Sequence, residues 1–175
     1  IGRANLLLEN IDRPEMDENK RKVIKGEALF LRGFYYFLLA QMWGDVPLVL
    51  ETTKSADDTQ RPRAPLAQVY EQILIDLKEA ESLVLPIRTV GFGGRANKSA
   101  VRGMLARVCL HMAGYPLKDQ SKYAEAKYWA GKVINDAEAG HALNESYNQV
   151  FTNLAADKYD IKESLFEVEF WGNRT

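Results

Sequence analysis

The chain has 175 residues, 46% of them hydrophobic and 27% charged, which suits a globular domain with a real core. Its 23 basic and 24 acidic residues leave a net charge of −1, and the one short basic run is "NKRK" at residues 19–22, so nothing marks a nucleic-acid face. A single cysteine, Cys109, excludes an internal disulfide framework, and two histidines beside it make no structural zinc site.

The segment "IGRANLLLENI" at residues 1–11 reads as the end of a helix entering from sequence upstream, and the chain as a piece of a longer protein; no targeting signal is visible within these residues, which says nothing of the parent. A second helix is expected over about residues 17–43, ending at Gly44, which accepts positive φ without a Cβ clash, and ahead of Pro47. Between Ala28 and Trp43 only Arg32 and Gln41 are strongly polar. A bilayer span needs about 20 apolar residues, and an arginine near its middle costs ~2.5–3.5 kcal/mol, so this is no membrane helix. Phe34, Tyr35, Tyr36 and Phe37 are consecutive and point all round the axis, which predicts a helix buried between others, not a stacking platform. Gly33 then admits a close neighbour, Arg32 snorkels or pairs with Glu27 or Asp45, and Trp43 anchors the core.

A polar loop at residues 52–64 leads to the cleanest amphipathic segment. Leu66, Val69, Tyr70, Ile73, Leu74, Leu77, Ala80 and Val84 fall on one helical face, with Glu71, Gln72, Asp76 and Glu79 opposite. After the connector "VGFGGRANK", Asn97 is placed to cap a helix whose inner face is Ala100, Val101, Met104, Leu105, Val108 and Met112, ending near Gly114. The next helix is expected over about residues 122–139, with Tyr123, Ala126, Ala130, Val133, Ile134 and Ala137 inward. "SYNQVFTN" reads as a short further helix. "SLFEVEFW", about residues 164–171, alternates Leu165, Glu167 and Glu169 against Phe166, Val168 and Phe170, the period of a strand.

No catalytic constellation emerges. Glu167 and Glu169 share a strand face about 6.6 Å apart, at the lower edge of inverting glycosidase spacing, but alternation alone puts them on the solvent side. Cys109 and His111 are two apart on a helix and do not face each other. "GFGG" lacks the Lys-Ser/Thr of a phosphate loop. "GRAN" occurs at residues 2–5 and 94–97 in unlike settings, as coincidence would have it. No cofactor or metal is implied.

Residues 98–138 form a helical pair in which small Ala126 and Ala130 alternate with Tyr123, Val133 and Ile134, the packing of tetratricopeptide helices. The loop between them is too long for a regular array, so the fold class is mainly α, TPR-like with insertions: pairs over about 17–84 and 98–138 in a right-handed superhelical scaffold, and a late strand.

Beyond these local signals, the chain carries, in this order, "GRAN" with "LLLENI", "GEALFLRGFYYFLLAQMWGDVPLV", "VYEQILIDLKEAESLVLP", "GRANKSAVRGMLARVCLHMAG", "YAEAKYWAGKVI" and "ESLFEVEF". In these segments and their order it resembles the SusD/RagB-like outer-membrane nutrient-binding lipoproteins of Bacteroidetes. The resemblance implies a helical scaffold that packs on a SusC-like TonB-dependent outer-membrane barrel. The protein would sit on the extracellular face of the outer membrane through a lipid anchor outside this segment, and would deliver oligosaccharides, or peptides in RagB-like members, without any reaction. The best sugar-contacting cluster is Trp171, Asn173 and Arg174, just after the strand, where the family's chain enters its ligand loops; Phe92 and Tyr115 are lesser candidates that suit local packing. A TPR-like scaffold for a protein partner and an all-helical glycoside hydrolase using Glu167 and Glu169 are the competing expectations.

Overall fold

Helix boundaries follow local chemistry. In the computed structural model, which describes residues 1–168 with the side chains of residues 56 and 58 excepted, seven α-helices and one 3₁₀ turn form. They are α1 (Gly2–Asn10), α2 (Glu18–Trp43), the turn Ala56–Thr59, α3 (Leu66–Leu83), α4 (Ile87–Val90), α5 (Lys98–Ala113), α6 (Lys122–Ile134) and α7 (Tyr147–Ala155). The Asp17 carboxylate accepts the Lys20 N–H at 3.0 Å and opens α2, and Gly44 closes it at φ 68°. The Leu66 N–H at the start of α3 donates to Asp45 Oδ1 at 2.8 Å. Asn97 caps α5 as expected, its Oδ1 accepting the Ala100 N–H at 2.9 Å.

The helices pack as neighbours: α1 on α2, α2 on α3, α3 on α5 and α5 on α6. Phe30, Tyr36 and Phe37 of α2 meet Val69, Ile73 and Leu77 of α3 and Val101, Leu105 and Val108 of α5 in one core, all within 1% of full burial. Each such side chain contributes roughly 1.5–3 kcal/mol by leaving water. The expected close approach at Gly33 is present: a Cβ there would stand 3.1 Å from Leu77 Cγ on α3. The Tyr36 hydroxyl accepts the Val49 N–H at 2.7 Å and donates to the Val49 carbonyl at 2.8 Å, so one side chain pins the extended stretch after α2.

Several expectations need correcting. The α2 helix is not apolar-buried all round: Leu31, Tyr35 and Met42 are exposed, because α1, α3 and α5 cover only part of its circumference. Trp43 is no core anchor; at the last helical residue it is 58% exposed. Arg32 pairs with neither Glu27 nor Asp45. Both its Nε and Nη2 donate to Asp76 at 2.7 Å, and Asp76, assigned to the outer face of α3, is 1% exposed. Glu27 pairs instead with Arg95 at 2.6 Å. The helix after Lys122 stops at Ile134 and not near Ala139, because Asp136 turns the chain: its carboxylate accepts from Arg102 at 2.7 Å and from the Ala139 N–H at 3.0 Å. Tyr123 and Ile134 are exposed, and α6 buries Ala126 and Trp129.

The strand expected over about residues 164–171 is corrected for residues 164–168, and the rest of it lies outside the described residues. Among the described residues, 164–168 form no strand; a ladder needs a partner strand, and here the neighbours are a loop and helices. Phe166 packs inward while Val168, on the same face by alternation, is 65% exposed.

Candidate ligand site

The segment that leads to the expected sugar contacts is held from three sides. The Glu167 N–H donates to the Gly93 carbonyl at 3.1 Å, and the Leu165 carbonyl accepts from Asn97 Nδ2 at 3.1 Å. Phe166 lies edge-on to Phe30 and Phe34, with ring centroids 5.1 and 5.8 Å apart. Leu165 Cδ1 stands 3.2 Å from where a Cβ on Gly103 would be, so the bare face of α5 admits it. The "GFGG" connector is therefore a dock for residues 164–167, with Gly93 close to Ser164 and Glu167.

Trp171, Asn173 and Arg174 lie outside the described residues, as does Glu169, so the geometry here ends at their approach. Of the lesser candidates, Phe92 packs on Tyr159 with centroids 5.5 Å apart, as expected of a local contact. Tyr115 does not pack: it is 84% exposed, with Lys118 Nζ 5.7 Å from its ring centre.

A serine–histidine contact that the sequence did not suggest joins Ser99 to His141, Oγ to Nε2 at 2.7 Å. It is not nucleophilic machinery. Ser99 is 1% exposed, and the other ring nitrogen faces the Lys162 carbonyl at 3.3 Å, not a carboxylate. With the Ala142 N–H donating to the same carbonyl at 3.0 Å, the histidine ties the chain after α6 to the first turn of α5. Cys109 is equally unsuited to attack: burial first, then the Glu125 charge, push its thiol up to about 11. No group of three or more His, Cys, Asp or Glu among the described residues could hold a metal ion. No described helix is long and apolar enough to cross a membrane.

Residues 1–110 match the model of a SusD-like family described as starch-binding and associating with the outer membrane. "SusD-like protein P2" of Formosa agariphila is 28% identical over 173 residues, 98% of this chain and 32% of the relative. A SusD homolog from Bacteroides thetaiotaomicron VPI-5482 superposes with a TM-score of 0.85 at 31% identity, over 97% of this chain and 33% of that one. A laminarin-binding SusD-like protein superposes with a TM-score of 0.75 at 28% identity, over 87% of this chain and 32% of its own. This chain thus spans about a third of the length of the proteins it matches.

Proposed function

The chain belongs to the SusD-like family, and from that premise we propose that it is the helical scaffold of a protein that captures oligosaccharides at the extracellular face of the outer membrane. It passes them, unaltered, to a SusC-like TonB-dependent barrel, and its membrane tether is a lipid anchor outside these residues. The observation that carries this reading is the family match across residues 1–110, in a fold shared with a laminarin-binding relative. Two features agree with a binding role. Neither Ser99 nor Cys109 is placed for nucleophilic attack, and the docked residues 164–167 give the following stretch a fixed origin.

Trp171, Asn173 and Arg174 are proposed as the sugar contacts: an indole for the apolar face of a pyranose, an amide and a guanidinium to fork onto hydroxyls. The test is calorimetry of the protein against laminarin and starch oligosaccharides, with reducing ends assayed in parallel. Saturable binding without sugar release, weakened at least tenfold by Trp171→Ala, supports the reading. Absence of binding to every glycan tried, or reducing ends that accumulate with protein concentration, overturns it.

A further inference from the structure

Away from the ligand approach, α5 and α6 enclose a groove of about 760 Å³, within the ordinary size of a small-molecule site. Small residues, Ala124 and Gly131, line it together with Lys98, Arg102, Lys127, Lys132 and Tyr128. Four cations therefore face two carboxylates, Asp136 and Glu138, in a chain whose net charge is −1.

The groove is built, not incidental. Arg102 is fixed by Glu81 through Nε and by Asp136 through Nη1, both at 2.7 Å, which leaves Nη2 outside either bond. The far wall is held by Asp136 on the Ala139 N–H at 3.0 Å and by Arg88 Nε on the Glu138 carbonyl at 2.8 Å. Lys132 Nζ sits 5.5 Å from the centre of the Tyr128 ring, in a residue that is 54% exposed. Small residues along the wall, a half-exposed tyrosine and the ammonium groups of Lys98 and Lys127, beside a lysine already seated on that ring, match a pyranose that carries negative charge. A bare phosphate would leave most of the volume and the ring unused.

We propose that this groove binds an anionic oligosaccharide, one bearing carboxylate or sulfate groups. The inference rests on the glycan-binding reading and adds a ligand class to it. Lys98, Lys127 and Lys132 take the charge, Arg102 Nη2 donates from a fixed position, and Tyr128 stacks on the ring.

The experiment is calorimetry of the full chain with a galacturonic acid tetrasaccharide, a heparin-derived tetrasaccharide, a neutral galactose tetrasaccharide and inorganic phosphate. At least one charged sugar should bind tenfold or more tighter than the neutral one, with affinity falling as salt rises. Lys127→Glu with Lys132→Glu should remove that preference while lowering the melting temperature by only a few degrees, since both side chains are exposed although Lys132 lies in the last turn of α6. Tyr128→Ala should weaken the charged sugar several-fold. Equal affinity for neutral and charged sugars, no effect of the double reversal, or displacement by phosphate at equal concentration overturns the proposal. Laminarin oligosaccharides distinguish the two readings: if they bind and the acidic sugars do not, only the groove inference falls.

Discussion

Arg32 of α2 and Asp76 of α3 meet fork to fork, Nε to Oδ2 and Nη2 to Oδ1, each at 2.7 Å, with the two side chains only 10% and 1% exposed. The remaining lone pairs and protons are not wasted. Arg32 Nη1 donates to Asn5 Oδ1 at 3.2 Å, and Gln72 Nε2 donates to Asp76 Oδ1 at 2.8 Å. Asn5 in turn donates to the Val49 and Glu51 carbonyls at 2.9 and 3.2 Å. One buried network thus fastens α1, α2, α3 and the stretch after α2. Removing one partner leaves an uncompensated charge, so Asp76→Asn or Arg32→Ala should destabilise by about 3–5 kcal/mol. Arg32→Met with Asp76→Leu should recover most of that loss. Urea unfolding of the three variants checks it, and a double variant no better than either single would show that the pair itself contributes net stability.

That pair also marks where sequence reasoning reached its limit. Signals carried within a few residues were readable: the Asp17 and Asn97 caps, the Gly44 stop, and the inner face of α3 from Leu66 to Val84. Those steps depend on backbone geometry and on periodicity, which neighbours in sequence determine. The Arg32–Asp76 pairing spans 44 residues and needs the crossing of two helices, which no window contains. Likewise, period-2 alternation in residues 164–168 describes one face of a strand only where a second strand supplies the ladder. For the site, residue chemistry and the family resemblance point to Trp171, Asn173 and Arg174, which lie outside the described residues, while the groove is not readable in any window of the sequence. Lys98 and Arg102 come to Lys127, Tyr128 and Lys132 only when α5 and α6 pair.

The two helices that cross at Gly33 also crowd Gly26. A Cβ at Gly26 would stand 2.7 Å from Leu83 Cβ and 3.2 Å from the Val84 backbone nitrogen, with no flexible end to yield. Gly26→Ala should cost about 1–3 kcal/mol as an overpacked contact. Gly131 offers the opposite case, since its nearest such neighbour is Asn135 Nδ2 at 3.8 Å. Gly131→Ala should gain about 0.5–1 kcal/mol from helix propensity alone. Thermal melts of the two variants should move in opposite directions.

Cys109 is fully buried in α5, with its thiol pushed up to about 11. Thiolate is the reactive form, so at pH 8 the native protein should resist a disulfide or alkylating reagent for hours. In denaturant the same thiol should react within minutes. Rapid labelling of the native protein would show that α5 opens locally.

Glu125 bridges two helices and a turn of its own: its Oε1 lies 2.6 Å from Lys78 Nζ and its Oε2 2.9 Å from Lys122 Nζ. Burial opposes its ionisation, but the hydrogen bonds from both lysines outweigh it and hold the carboxyl at about 2, against an ordinary 4.5. A depressed carboxyl gives its stabilisation above the unfolded value and loses it as pH falls towards the folded one. Glu125→Gln should therefore lower stability at pH 7 by about 1–2 kcal/mol, after allowance for the partly exposed Lys78. The gap between wild type and variant should close as the pH drops from 4.5 towards 2. Urea midpoints across that range read it directly, and a gap that persists at the acid end would assign the effect to packing.

Asn97 performs two separable tasks. Its Oδ1 caps α5 through the Ala100 N–H, and its Nδ2 holds the Leu165 carbonyl, joining the helix start to the segment that precedes the proposed sugar contacts. Asn97→Ala abolishes both and should cost about 1–2 kcal/mol for the cap and roughly 1 kcal/mol for the second bond. Asn97→Asp keeps an acceptor for the cap but turns a donor into a carboxylate oxygen beside the Leu165 carbonyl. Asn97 is fully buried and its Nδ2 also donates to the Arg95 carbonyl at 3.0 Å, so the aspartate variant keeps the cap but should melt well below wild type, with residues 164–168 loosened, seen as faster hydrogen exchange at the Glu167 amide. Equal exchange at Glu167 in wild type and aspartate variant would confine Asn97 to capping.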